Sequence, residues 1–241
     1  MPPTTTARTA RQLTLPGQTH TAEGPHDQTG MYVMHHAFRR DLNRFVEAAR
    51  RTPVEEGAVW RALADRWDRF DAVLHHHHQI EDAAFWPVLL RHADATGNAD
   101  DRATLEAMEA EHAEIDPALE RCRTALAEMV AHPCEDHRNA LDVRLTSTRE
   151  ALLRHLQHEE TVALPLLQRT MTEAEYAAAE AAAQKGYPAR TMPFLLPWAL
   201  HELPAEAMDR MAADAGPGFM LLHRLVRRRF LRRERVAFRY A

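Results

Sequence analysis

The sequence has few of the residues that mark disulfide-bonded, sheet-rich or membrane-spanning proteins. Its 2 cysteines, Cys122 and Cys134, are too few for a disulfide framework in 241 residues and are typical of a reducing compartment. Glycine occurs only 8 times and β-branched runs are few, which argues against a sheet architecture. No apolar run is long enough to span a bilayer, and no secretory hydrophobic region follows the N-terminus. We therefore expect an all-α, soluble protein of the cytoplasm.

Composition divides the chain into three regions. Residues 1–26 are rich in threonine, proline and glycine without apolar periodicity, and they predict a flexible leader. Residues 27–170 contain long apolar periodicities and predict a single helical bundle. Residues 171–241 predict a helical extension, in which Thr172 and Glu175 form a capping-box pattern and Gly186 ends the first helix.

The extension ends in a strongly basic segment. Residues 224–241 carry eight arginines against Glu234, a local charge of +7, although the whole chain has a net charge of −5. We expect an amphipathic helix that begins after Gly218, with arginines around an apolar stripe. Two interpretations stay open: the helix docks on the acidic body of the protein, which we favour, or it binds an anionic membrane or another anionic partner. No DNA-binding fold motif accompanies it, so we expect no nucleic acid partner. The stripe consists of Phe219, Leu222, Val226 and Phe230.

Four long helical patterns follow one another in residues 27–170. Their apolar residues recur at alternating spacings of three and four, which is the pattern of helices packed nearly parallel in a bundle. The four apolar seams run from Met31 to Ala49, from Trp60 to Val88, from Leu105 to Met129 and from Leu141 to Leu166. The midpoints between the histidines of successive seams fall at 56, 94–95 and 133–134, in clusters of turn-forming residues. These features predict an up-down four-helix bundle.

Each seam is interrupted by a histidine, and two seams carry a glutamate four residues later. A histidine and a glutamate at this spacing lie on one helix face. The segments HHQIEDAAFWP (77–87) and HLQHEETVALP (155–165) share this spacing and a later proline, at an offset of 78 residues. The chain thus resembles a duplicated helix pair, and the prolines are expected to kink or end two helices at matching heights. The six seam residues are His35, His77, Glu81, His112, His155 and Glu159.

Six polar side chains in one layer of an apolar core must have partners, because each unpaired buried group costs about 1–3 kcal/mol. One interpretation is a hydrogen-bonded network without metal. The other, which we favour, is a centre of two metal ions that the four imidazoles and two carboxylates share. Imidazole and carboxylate ligands without thiolate suit iron or manganese, with zinc as an alternative. The neighbouring His36, His75, His76 and His78 fall beside the seams, and we expect them not to bind the metal.

This pattern resembles the hemerythrin-like, or HHE cation-binding, domain over roughly residues 28–169. Its motif, a lone histidine and then H-x-x-x-E on successive helices, occurs twice. Ferritin-like di-iron bundles are a worse match because their paired motif is Glu-x-x-His. The resemblance implies a non-haem centre of two iron ions, bridged by Glu81, Glu159 and an oxo, hydroxo or water ligand. It also implies dioxygen, peroxide or nitric oxide as the small-molecule partner.

The sequence departs from the oxygen-carrying hemerythrins at one position. Those proteins have a second histidine four residues after the one on the third helix, and here Asp116 stands there. We therefore expect a redox role, such as a catalase-like peroxide-decomposing enzyme, or a sensor of oxygen, nitric oxide or iron, and not reversible oxygen carriage. Asp82 and Glu160 either accept hydrogen bonds from ligand imidazoles or are solvated. For Tyr32 we favour packing over a phenol directed at the metals.

Overall fold

The chain forms an all-α fold in a computed structural model, which describes residues 9–241 apart from the side chains of residues 214–217. The predicted up-down four-helix bundle is confirmed, and no strand occurs in the described part of the chain. Four helical rods make the bundle, and each lies against the rods that precede and follow it. The rods are α1 (Thr29–Arg51); α2 (Gly57–Ile80) continued by α3 (Trp86–Thr96); α4 (Ala99–Ala131); and α5 (Glu135–His158) continued by α6 (Leu164–Thr170).

The rods form where the seams predict them, and the connections between them are short. These connections cover residues 52–56, 97–98 and 132–134, so the first and third contain the predicted midpoints and the second comes two residues later. Short connections of this kind make successive helices antiparallel neighbours. The antiparallel arrangement brings the polar seam residues of all four rods together at one height of the bundle.

The second and fourth rods each contain one π-helical turn at the same place. The turns are Glu81–Phe85 and Glu159–Ala163, and in each a backbone N–H bonds the glutamate carbonyl five residues earlier. Pro87 and Pro165 lie two residues after the turns end. Because proline lacks an N–H and its ring clashes with the carbonyl four residues back, ordinary α-helical bonding cannot continue there. The rods therefore do not end at these prolines, which was one of the two predicted outcomes, and a wide turn carries each rod past its proline.

The π turn shifts the buried face of each rod by one residue. The predicted seam positions Ala84 and Val88 are partly exposed, while Phe85 and Leu89 are buried in their place. In the fourth rod Val162 is 38 % exposed and the next residue, Ala163, is buried. A wide turn contains one residue more than an α-helical turn, so every later side chain rotates around the helix axis.

The N-terminal segment packs on the bundle and is not a flexible leader over the part that the structure describes. Leu13, Leu15 and Ala22 are buried in the core. The Gln168 side-chain amide on α6 donates hydrogen bonds to the carbonyls of Ala22 and His26. Composition could not predict this packing, because the few apolar residues of the segment follow neither a helical nor a strand period. Residues 1–8 lie outside the described residues.

The extension contains three helices that cover one side of the bundle. They are α7 (Glu173–Gly186), α8 (Met192–Ala199) and α9 (Ala205–Ala237), with a 3-10 turn (Ala189–Thr191) before α8. The predicted capping box of Thr172 and Glu175 opens α7. The basic helix begins earlier than predicted, since α9 starts at Ala205. The indole of Trp198 on α8 donates a 2.9 Å hydrogen bond to the buried carboxylate of Asp41 on α1.

The basic helix docks on the body, but through charges opposite to those predicted. Its one acidic residue in residues 224–241, Glu234, is buried and pairs with Arg44 and Arg66 of the bundle at 2.7 and 3.1 Å. Phe230 is buried beside them, whereas Leu222 of the predicted stripe is 38 % exposed. The eight arginines of the segment lie on the outer surface. Among the described residues, no helix combines the length and the apolar character needed to cross a membrane.

Candidate metal centre

The structure brings all six predicted seam residues to one place in the core. The two glutamates are the first residues of the two π turns. The most exposed of the six retains only 7 % of its surface. Their sources are His35 of α1, His77 of α2 with Glu81, His112 of α4, and His155 of α5 with Glu159.

The ligand atoms divide into two groups, within each of which all atoms lie within 4.8 Å of one another. We call them the four-donor group and the three-histidine group. The four-donor group consists of His35, His77, Glu81 and Glu159. The three-histidine group consists of His78, His112 and His155.

Both glutamates lie between the two groups. Oε1 of Glu81 is 3.0 Å from His77 Nε2, and its Oε2 is 3.5 Å from His112 Nε2. Oε2 of Glu159 is 3.1 Å from His35 Nε2 and 3.9 Å from His155 Nε2. Carboxylates in this position can bind one cation with each group, so the arrangement suits two metal ions that share both glutamates.

His78 belongs to the three-histidine group, although the sequence predicted that it lies off the centre. Its ring stacks on that of His112 with centroids 4.0 Å apart, and it meets His155 edge to face at 5.3 Å. Consecutive helical residues point about 100° apart, so His77 faces α1 while His78 faces α4 and α5. A signal was present in the sequence: Asp116 leaves the third helix one imidazole short, and the adjacent His77-His78 pair can supply it.

The other neighbouring histidines lie away from the centre, as predicted. His36 is within 3.2 Å of the Pro16 carbonyl and so contacts the N-terminal segment. The ring of His76 packs edge to face on Tyr187. His75 pairs with Asp116 at 3.2 Å on the surface, where both side chains are about half exposed. Asp116 therefore contributes nothing to the centre.

Three carboxylates hold the far sides of the ligand imidazoles. The Nδ1 atoms of His112, His35 and His155 lie 2.9 Å from Asp82, Glu160 and Glu111 respectively. When Nδ1–H donates to a carboxylate, Nε2 carries the lone pair that a metal ion needs. Of the two interpretations for Asp82 and Glu160, the structure supports hydrogen bonding to ligand imidazoles.

Sequence reasoning missed Glu111, because among the carboxylates it considered only the seam glutamates, the residues next to them and Asp116. It lies immediately before His112 and reaches across to α5, where it contacts both His155 and His158. Asp82 and Glu160 are also sequence neighbours of seam residues, since each directly follows a seam glutamate. A search for acidic residues adjacent to every seam position would have found all three.

Glu160 is the most enclosed of these carboxylates, with no exposed surface. Besides His35, it accepts hydrogen bonds from the Arg39 guanidinium at 2.8 Å and from the backbone N–H of Thr19 at 2.7 Å. The N-terminal segment thus contacts the centre through one intermediate residue. Tyr32 is occupied with the same segment, since its hydroxyl accepts from the N–H of Ala22 and donates to Gln28. This agrees with the predicted packing role of Tyr32.

Without a cation the buried charges redistribute protons among the ligands. Burial alone lowers the pKa of His35, but Glu159 and Glu160 outweigh it and raise that pKa to about 9. Burial raises the pKa of Glu159, but His35, His155 and His77 together outweigh it and lower that pKa, so this carboxylate stays ionised. Burial, reinforced by Glu159, raises the pKa of Glu81. A bound cation would replace the protons on His35 and Glu81, because ligands bind metals in their deprotonated forms.

The centre contains an unusual concentration of buried polar atoms without hydrogen-bond partners. They include both carboxylate oxygens of Glu81 and Glu159, both ring nitrogens of His78, and Nε2 of His35 and His77. His35 Nε2 and His77 Nε2 do lie within 3.1 Å of Glu159 and Glu81, but these contacts lack the geometry of a hydrogen bond. Buried polar atoms in folded proteins nearly always have a partner, and leaving this many unpaired would be costly. Imidazole nitrogens and carboxylate oxygens fit iron, manganese or zinc, so a metal ion accounts for these atoms.

The comparisons with known proteins agree with this donor set. The family model of the hemerythrin HHE cation-binding domain matches residues 27–167, more than half of the chain. Neither the comparison with curated proteins nor that with solved structures finds a match. The matched region contains both π turns and every residue of the two donor groups. The chain therefore belongs to the hemerythrin HHE cation-binding family.

Proposed function

We propose that the chain binds two iron ions and reacts with oxygen-derived small molecules, in a redox or stress-related role. The observation that carries this proposal is the set of unpaired buried donors in two groups that share Glu81 and Glu159. Membership of the HHE family supports metal binding at these residues. Manganese and zinc remain alternatives for the same ligands.

The two metal positions are unequal in imidazoles. The three-histidine group offers three, whereas the four-donor group offers only His35 and His77. With the glutamates shared, the position at His35 and His77 has one protein ligand fewer and is the better place for an external molecule. When bound, a pair of non-haem irons supplies reversible electron transfer and an open coordination position for dioxygen, peroxide or nitric oxide.

The surrounding residues orient the ligands and exclude water. Asp82, Glu111 and Glu160 each hold one imidazole by its Nδ1 side, which fixes the tautomer and the direction of Nε2. The aromatic core keeps the site dry: Phe38, for example, is fully buried and packs on the ring of His77. Exclusion of water strengthens every electrostatic contact in the centre.

His78 raises the number of imidazoles at the centre, and this number was the basis for predicting that the protein is not an oxygen carrier. The prediction against a carrier counted four imidazoles, whereas the donor groups contain five. Ligand number therefore no longer separates a carrier from a redox protein. We retain the redox role as the proposal, with a sensor that binds oxygen, nitric oxide or iron without turnover as the second candidate. The carboxylate-rich surroundings, which favour the ferric state, support the first.

Elemental analysis tests the metal content directly. Protein reconstituted anaerobically with ferrous iron and freed of excess metal should retain about two irons per chain, one for each donor group. No more than trace iron, with the fold intact by circular dichroism, would overturn the proposal. Addition of hydrogen peroxide in excess then separates the candidates: a redox enzyme consumes many equivalents, and a sensor consumes about as many as it holds irons.

A further inference from the structure

A cavity reaches the metal centre from the side that the extension covers. Its volume is about 300 Å³, and His77 and Glu81 of the four-donor group form its inner end. We call it the chamber. Its walls are mostly apolar and include Met31, Met34 and Ile80 of the bundle. His77 is the most exposed residue of the two donor groups, at 7 %, because it lines this space.

The outer wall of the chamber comes from residues that lie outside the family match. Ala183 and Tyr187, in and directly after α7, and Met192 and Leu195 of α8 close the side opposite α1. The HHE match ends at residue 167, so the bundle alone would leave this side of the centre uncovered. The chamber is therefore a property of this chain's extension and does not follow from the family fold.

The chamber is larger than dioxygen or hydrogen peroxide requires. A water molecule accounts for ~30 Å³ of liquid, so 300 Å³ corresponds to roughly ten water-sized groups. This volume is at the lower end of the range for pockets that hold organic ligands. A space of this size with thioether and aliphatic walls favours an apolar body over a small polar molecule.

The charged groups of the chamber indicate a neutral ligand. Its lining contains two acidic residues, Glu81 and Glu180, and no lysine or arginine. The carboxylate of Glu180 lies 3.4 Å from the Tyr176 hydroxyl, and burial raises the pKa of Glu180. An anionic ligand would therefore find no counter-charge outside the metal position, while a neutral molecule would bury its apolar part without penalty.

We propose that the chamber binds a neutral arylalkyl or alkyl molecule of about ten non-hydrogen atoms, with one small polar group placed at His77 and Glu81. Organic hydroperoxides and their alcohols fit both parts of the chamber, because they combine an apolar body for its walls with one small polar group for its inner end. The placement of the polar group at His77 and Glu81 rests on the proposed function, because these residues are proposed to bind the metal. The preference for an apolar ligand body rests only on the shape and chemistry of the chamber.

Binding of 2-phenyl-2-propanol, a neutral alcohol of this size that cannot oxidise iron, tests the proposal. Isothermal titration into the metal-free and the iron-loaded full chain should detect binding to both, and benzoate should bind the metal-free chain at least tenfold more weakly. Ala183→Phe, which fills the chamber from α7, should weaken binding of the alcohol at least tenfold. Met192→Phe fills it from α8 and should do the same if the first variant does not fold.

Ala62→Phe is the matched control, because Ala62 lines a separate apolar pocket against α9, with Phe194 and Phe230. It should leave the affinity for the alcohol within twofold of the unchanged chain. Absence of binding to the unchanged chain, or equal losses in Ala183→Phe and Ala62→Phe, would refute the proposal. If the alcohol binds but iron does not, the proposed function fails and the chamber stands; if iron binds but the alcohol does not, only the chamber fails.

Discussion

Replacement of His78 by alanine tests whether the centre has five imidazoles or four. In the structure His78 stacks on His112, and neither of its ring nitrogens has a hydrogen-bond partner. The variant should lose metal from the three-histidine group, which keeps only His112 and His155 beside the shared glutamates. The position at His35 and His77 should retain its metal. We therefore expect the iron content to fall from about two per chain toward one, by the two-group ligand count.

The expected loss of metal affinity in His78→Ala depends on whether the imidazole orients a ligand or is itself a ligand. Loss of a partner that merely orients a ligand costs about 10–100-fold in metal affinity, or about 1.4–2.8 kcal/mol, and loss of the ligand itself should cost more. The metal-free chain should respond differently. Removal of two unpaired buried nitrogens relieves about 1–3 kcal/mol each, which the loss of the ring stacking and a small cavity partly offset. The variant should thus be no less stable without metal and clearly less stabilised by it.

His76→Ala is the control, because His76 is the preceding residue of α2 and packs on Tyr187 instead of the centre. Competitive metal titration gives the affinity of each position, and thermal unfolding with and without iron gives the stabilisation that the metal provides. If His78→Ala keeps two irons with unchanged affinity, or if His76→Ala loses as much metal, the assignment of His78 to the centre is wrong.

Three further variants test other contacts of the core. Glu160→Gln removes the charge that holds His35 and should weaken metal binding about 10–100-fold in a competitive titration, whereas unchanged affinity would contradict its orienting role. Asp41→Asn breaks a buried contact with Arg66 and should lower the free energy of unfolding in urea by about 3–5 kcal/mol. Burial raises the pKa of Asp41, but Arg66 and Arg40 outweigh it and lower that pKa. This stabilisation is therefore complete above the ordinary aspartate pKa of 3.8 and is lost as the pH falls through the lower pKa of the folded state; a loss already present at pH 6 would contradict it. Tyr32→Phe should cost about 1 kcal/mol in the same unfolding assay and leave the metal content at two, and loss of metal would refute the packing role.

The sequence predicted the features that depend on helical phase. The apolar seams identified the four rods, and the polar interruptions identified six residues that the structure brings together at His35, Glu81 and their counterparts. Seam analysis could not find His78, because it treats each helix as having one buried face. In a four-rod bundle a residue beside the seam also faces a neighbouring rod, and a second helix face is buried near the middle.

The other differences between prediction and structure have local causes, which a periodic pattern of apolar residues does not reveal. The seam of each long rod was predicted as continuous, so the shift from Ala84 to Phe85 after the wide turn went unseen. Composition alone described the N-terminal segment, and it could not predict that Leu13 and Leu15 are buried against the bundle. The docking of α9 was predicted from net charge, whereas the contact depends on the single buried Glu234.

The two π turns bear on the history of the fold. A wide turn is an α-helix that has absorbed one inserted residue, and each of these begins at a glutamate of the four-donor group. The turns begin at Glu81 and Glu159, the same 78-residue offset that separates His77 from His155. If one helix pair was copied to make this bundle, the simplest history is that the wide turn and the proline behind it were already present in the ancestral pair, since both copies share them at the same offset. That ancestor would then have carried a histidine and a glutamate ahead of its proline, and two copies of it, side by side, would have enclosed a metal site from their first association.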